Sequence, residues 1–134
     1  NFHGLKKTKD TIYSCFSTMV AKQYLGNQWT NKLENKLLKE IPIKYYGNYN
    51  KFLTYSATEI MESNKIEALE NAIVLFGYLG QPLGNINDIE DKHFTPLNIR
   101  PIGKSAPDMF GIVIHANIIN MLLKQDLISL IYFS

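Results

Sequence analysis

The chain has 134 residues, 46% of them hydrophobic and 19% charged, with a formal net charge of +2. This fits one folded domain with a buried core, excludes an intrinsically disordered segment, and leaves no massed basic run for nucleic acid. The single cysteine, Cys15, rules out an intrachain disulfide framework, and no apolar run reaches the ~18 residues of a membrane-spanning helix. Lysine outweighs arginine (Arg100 alone), and asparagine and isoleucine are abundant, a usage that points to an AT-rich, bacterial genome. The chain begins at Asn1 with neither an initiator methionine nor a signal peptide, so it reads as a piece of a longer protein.

Residues 1–9, with His3, Gly4 and three lysines, have no periodicity and read as a loose lead-in. Thr8 or Asp10 is placed to cap a first helix, in which Ile12, Cys15, Phe16, Met19, Val20 and Tyr24 recur at i, i+3, i+4 spacing and share an inward face. Gly26 and Asn27 stop it. On that stripe Cys15 reads as a small buried hydrophobe rather than a reactive thiol. A second helical pattern over residues 29–40 turns Leu33, Leu37 and Leu38 inward, and Lys32, Glu34, Lys36 and Lys39 toward solvent. Residues 41–56 are rich in β-formers and read as two short strands around Gly47-Asn48. The tyrosines there (Tyr45, Tyr46, Tyr49, Tyr55) suit a ligand pocket, though strand packing is the plainer reading.

Ser56 followed by Glu59 is a capping-box pattern, opening a short helix that faces Ile60 and Met61 inward. Residues 64–70 repeat the idea around Ile66 and Leu69. Residues 72–76, AIVLF before Gly77, have the continuous apolar character of a central strand buried on both faces. The following loop, with Gly80, Pro82 and Gly84, matches neither the dinucleotide nor the P-loop pattern. Asp88, Glu90, Asp91 and His93 gather oxygens and an imidazole, but at the spacing of no EF-hand or zinc motif, so a solvated loop without metal is expected. Pro96, Pro101 and Pro107 then punctuate an irregular connection through Arg100 and Lys104.

Residues 110–114 form an apolar run of strand type that passes through His115-Ala116-Asn117 into a helix with Ile118, Ile119, Leu122 and Leu123 on one face. His115 is expected to open that helix, and Asn117 either to cap it or to bind backbone in the adjacent loop. Polar groups collected at such a junction make a candidate site. Residues 127–133, LISLIYF, read either as a last buried strand or as the approach to a transmembrane segment. No Ser/His/Asp, Cys/His or G-x-S-x-G pattern is present, so no enzymatic activity is expected.

Four blocks in order resemble the type two CHASE domains of bacterial receptor cyclases, histidine kinases and related transmembrane proteins. They are Ile43-Lys44-Tyr45-Tyr46-Gly47; Tyr55-Ser56 with its short helix; Ile73-Val74-Leu75-Phe76-Gly77 leading to Asp91 and Thr95-Pro96; and Phe110-Gly111-Ile112-Val113-Ile114-His115-Ala116-Asn117 with Leu122-Leu123. The likeness spans about residues 41–126 and corresponds to the C-terminal portion of that domain. Phe110 stands where the family pattern has proline, and Val113 where it has an acidic residue.

The resemblance implies a single α/β domain, residues 1–134, with a central β-sheet and flanking helices. Its expected role is that of an extracytoplasmic, periplasmic-side sensor in an inner-membrane receptor. The parent would be anchored by flanking helices, would answer an unidentified small-molecule or envelope ligand, and would admit dimerisation; no cofactor, metal or nucleic acid is expected. Asp91, Thr95, His115 and Asn117 are the candidate polar cluster, binding ligand or holding the fold. The alternative is a structural or protein-interaction domain of an envelope protein.

Overall fold

The computed structural model describes residues 1–80, 90–98 and 106–128. They fall into two compact units: Asn1–Tyr45 with His115–Ser134, and Tyr46–Ile114. The α/β class expected from the sequence holds. Sheet structure is small, however: among the described residues it consists of three two-stranded antiparallel ladders.

In the first unit the N-terminal residues are ordered rather than a loose lead-in. Strand β1 (Phe2–His3) pairs with β4 (Glu40–Ile41), setting Phe2 opposite Ile41 with both buried. Strands β2 (Leu5–Lys7) and β3 (Ile12–Ser14) form a hairpin, with Leu5 opposite Ser14, Lys6 opposite Tyr13 and Lys7 opposite Ile12. Thr8 closes its turn, the amide and the hydroxyl both donating to the Thr11 carbonyl at 2.8 and 3.0 Å. Strands of two or three residues are too short for alternation to show in a sequence window.

Thr8 and Asp10 therefore belong to the hairpin turn, and helix α1 (Phe16–Leu25) is capped by Cys15, whose sulfur accepts from the Thr18 amide. Gly26 ends the helix as expected, at φ 50° with its amide on the Lys22 carbonyl. The inward face is not the expected one. Ser17, Thr18 and Ala21 are buried, whereas Phe16, Met19 and Tyr24 are each more than half exposed. Size explains the inversion. The Gly4 carbonyl accepts from the Cys15 amide at 3.1 Å, and a Cβ on Gly4 would stand 2.9 Å from Leu37 Cδ2 and 3.1 Å from Thr18 Oγ1. Backbone that close admits only small side chains on the facing helix, so the bulky stripe is turned out.

Helix α2 (Asn31–Leu37) lies within the expected span, with Leu33 and Leu37 buried and Leu38 half-buried, and Thr30 caps it. The Trp29 indole donates to Glu34 at 3.2 Å, and Lys22 lies 3.6 Å from the same carboxylate. Helix α4 (Gly111–Leu123) buries Val113, Asn117, Ile118, Ile119, Met121 and Leu122. The division between the units falls within it, between Ile114 and His115. Each large apolar side chain taken fully out of water here contributes about 1.5–3 kcal/mol before entropy is counted. Beyond α4, Gln125 takes a left-handed φ of 52° while its amide bonds the Leu122 carbonyl and the Asp126 amide bonds the Met121 carbonyl, a Schellman cap. The Lys44 amide meets Met121 Sδ at 3.4 Å, and the Lys44 ammonium pairs with Asp126.

The second unit holds helix α3 (Ala57–Glu62) and the ladder of β5 (Lys92–His93) with β6 (Met109–Phe110). The capping box at Ser56 and Glu59 is present as read: the Ser56 amide donates to Glu59 at 2.6 Å, and the Glu59 amide to the Ser56 hydroxyl at 3.2 Å. Met61, expected inward, is 85% exposed. The hairpin expected around Gly47-Asn48 is absent among the described residues; Asn48 instead caps a single 3-10 turn, Tyr49–Lys51. Residues 72–76 form neither helix nor ladder among the described residues, with Ile73 and Leu75 half-buried and Val74 and Phe76 exposed. A continuous apolar run carries no information on which side chains find cover. Buried apolar side chains described in this unit are Met109, Phe110 and Val113. The loop glycine and prolines Gly84, Pro82 and Pro101, together with Asp88, Arg100 and Lys104 and most of the apolar run 127–133, lie outside the described residues.

Candidate functional site

Of the candidate polar residues, Asp91 and Thr95 belong to the second unit, and His115 and Asn117 to the first. In the second unit the chain enters β5 through Asp91, which holds a left-handed φ of 55°. Aspartate tolerates that conformation because its short side chain hydrogen-bonds locally. The Asp91 carbonyl accepts from the Gly111 amide at 3.0 Å, and the His93 carbonyl from the Asp108 amide at 3.0 Å, so the two-residue ladder is extended at both ends. Asp91 Oδ1 lies 3.8 Å from His93 Nε2, both side chains about half exposed, a surface pair worth little to stability. Gly111 leaves room beside it: a Cβ there would stand 3.1 Å from Asp91 Oδ1.

Thr95 is the buried member of its segment. Its amide donates to Asp108 Oδ1 at 2.8 Å and its hydroxyl to Asp108 Oδ2 at 2.6 Å, so one carboxylate is held by both donors of one residue. The Thr95 hydroxyl also accepts from the Leu97 amide at 3.3 Å, and the Thr95 carbonyl from the Asn98 amide at 3.1 Å, which closes the turn at Pro96. Asn48 brings a third segment in by donating to the Asp108 carbonyl at 2.7 Å. Asp108 is thus the centre of this corner. Sequence reasoning passed over it, although a carboxylate just before a strand, able to receive the free amides of a Thr-Pro turn, is a signal of that role.

In the first unit, His115 stands in the second turn of α4 rather than at its start. The expected strand 110–114 is shortened because the helix already begins at Gly111. His115 Nδ1 lies 2.8 Å from Ser17 Oγ, and the imidazole meets the Phe16 ring edge-on at a centroid distance of 5.3 Å. Which of the two atoms donates depends on the imidazole tautomer. Asn117 is fully buried in mid-helix and is therefore no cap. Val113, where the family pattern has an acidic residue, is 4% exposed, and an unpaired carboxylate would be costly in such a place.

Among the described residues, no buried side-chain nitrogen or oxygen lacks a hydrogen-bond partner, and no group of three or more His, Cys, Asp or Glu is arranged to hold a metal ion. Of the four tyrosines weighed as a pocket lining, Tyr45 lies in the first unit and the other three in the second, with Tyr49 exposed. Chemically, these residues fix turns and helix register. What the fold and its corners define is a small α/β module whose described buried polar groups are engaged in holding loops against short ladders and helices.

Residues 3–132 match the family model of the CHASE2 domain, and the chain belongs to that family, an extracellular sensory domain of receptors. The match covers the N-terminal hairpin and helix as well as the four motif blocks. No curated protein and no solved structure matches the chain.

Proposed function

We propose that this chain is the ligand-sensing, non-catalytic module of a bacterial membrane-bound receptor, held on the extracytoplasmic side by membrane helices of the parent protein and passing a small-molecule or envelope signal inward. The observation that carries the reading is the family match over nearly the whole chain. The first unit supports it mechanically: β1 is bonded to β4, and Lys44 is joined to Met121 and Asp126 near the end of α4. A ligand that prefers one arrangement of such a unit would shift its population, and with it the segments leading to the membrane. The effect can be no larger than the ligand's difference in affinity between the two arrangements.

The test is a thermal-shift screen of the purified chain against small polar and apolar molecules. A true ligand at 100 times its dissociation constant adds about 2.7 kcal/mol of stability. If no class of compound raises the melting temperature, ligand sensing by this chain is refuted. A second reading, a protein-interaction domain of an envelope protein, is favoured by the exposed Leu53, Met61, Phe76 and Phe94 of the second unit. Sequencing the parent gene bears on the receptor context: apolar segments on both sides with a signalling domain beyond support it, and their absence overturns it.

A further inference from the structure

The apolar segment 72–77 of the second unit is held at its two ends. The Ala72 amide donates to the Leu69 carbonyl at 3.2 Å. At the far end a Cβ on Gly77 would stand 2.7 Å from Ile112 Cγ1 in α4, and the next ring, Tyr78, meets Phe110 edge-on at 5.8 Å. Between these anchors, from Ile73 to Gly77, no backbone amide or carbonyl enters a hydrogen bond among the described residues. Burial alternates along the segment: Ile73 and Leu75 are half-buried, whereas Val74 and Phe76 are 40 and 81% exposed. That period of two is the period of a strand. No charged residue lies between Glu70 and Asp88. An uncharged stretch of β-formers with a free row of donors and acceptors is a template for a further strand.

We propose that two copies of the chain pair through this segment, strand against strand and antiparallel, about a two-fold axis at Val74. Such a contact sets Val74 opposite Val74, Ile73 opposite Leu75 and Ala72 opposite Phe76. Three features make the segment complementary to itself in that register. Half-buried side chains meet half-buried ones and exposed meet exposed, so neither copy turns an apolar set the wrong way. The largest side chain, Phe76, lies against the smallest, Ala72. With Val74 at a non-hydrogen-bonded position, the bonds fall at Ile73 and Leu75, while Ala72, whose amide is already engaged, is asked for none. Because the stretch is uncharged, its own copy approaches without like-charge repulsion. A foreign strand would need the same alternation, sizes and bonding pattern, which a second copy supplies by symmetry. The inference concerns a surface and does not rest on ligand sensing.

The experiment is sedimentation equilibrium of the 134-residue chain. The expected result is a reversible dimer. Val74→Lys and Val74→Glu should each weaken it about tenfold or more, because like charges then face each other across the axis. An equimolar mixture of the two variants should recover the dimer, lysine meeting glutamate, and that recovery also shows that both variants are folded. In a Cys15→Ser background, Val74→Cys should form a disulfide between copies with oxidised glutathione as the oxidant. The paired Cα atoms stand about 4.5 Å apart at such a position, within disulfide reach. Met61→Cys in the same background, more exposed in the same unit, should not. A monomer at every concentration overturns the proposal, as does a dimer that Val74→Lys leaves equally tight. So do a mixture that fails to recover the dimer, and Met61→Cys cross-linking as readily as Val74→Cys.

Discussion

Ser17 Oγ and His115 Nδ1 meet at 2.8 Å across 98 positions of sequence, joining the first turn of α1 to the second turn of α4. Ser17 is wholly buried, so the hydroxyl has no water to fall back on. Loss of either partner should cost about 1–3 kcal/mol, because the other is then left unsatisfied. Ser17→Ala and His115→Ala measured by urea denaturation, with the double variant, should give a coupling of at least about 0.5 kcal/mol. Additive single effects would show that the contact does not contribute.

The carboxylate of Asp108 receives both donors of Thr95. Thr95→Val removes the hydroxyl and keeps the amide bond, and Asp108→Asn replaces one acceptor oxygen by a donor. Each should cost about 1–3 kcal/mol, the range for bonds to a charged acceptor that is not fully buried. Amide exchange at Thr95 should accelerate in Asp108→Asn. Unchanged exchange there would separate the turn from the carboxylate.

Gln125 occupies the left-handed position of the cap that ends α4. A side chain there is strained and glycine is not, so Gln125→Gly should stabilise the protein by about 0.5–1 kcal/mol, net of the extra freedom glycine gives the unfolded chain. Gln125→Val should destabilise it, since a β-branched residue resists that φ more strongly. Midpoints of thermal unfolding for the two variants, moving in opposite directions, are the check.

Glu59 has its carboxyl held below the usual glutamate range, first by the hydrogen bond from the Ser56 amide and then by that from the Ser56 hydroxyl. A group whose folded pKa is depressed contributes stability above its unfolded pKa and loses it as pH falls through the folded value. The capping box of α3 should therefore be intact at neutral pH and open on acidification, below the pH at which a free glutamate titrates. Carbon-13 titration of the Glu59 carboxyl should give a midpoint that rises toward the ordinary value in Ser56→Ala. The same midpoint in both proteins would rule out the hydroxyl as a cause.

Legibility followed the range of the interaction. The Ser56 and Glu59 box, the Gly26 stop and the Leu33 and Leu37 face of α2 were readable because each is settled within a few residues, by one local bond or one helical period. The apolar stripe Phe16, Met19 and Tyr24 misled because periodicity locates a face without saying what will approach it. Gly4 and Leu37, 33 positions apart, close over the other side of α1. Likewise Thr95 was visible as part of a Thr-Pro turn, but its partner Asp108 lies across a loop, and His115 was visible without Ser17.

By itself the sequence determined the α/β class, the family, the Ser56 and Glu59 capping box and the Gly26 stop, since these depend on composition and on bonds between near neighbours. Only the tertiary structure decided which face of α1 is covered, where α4 begins, and that Asp108 and Ser17 are the partners of Thr95 and His115. Those choices rest on how closely two distant backbones can pack and which donors then find acceptors, and no local pattern of residues encodes that distance.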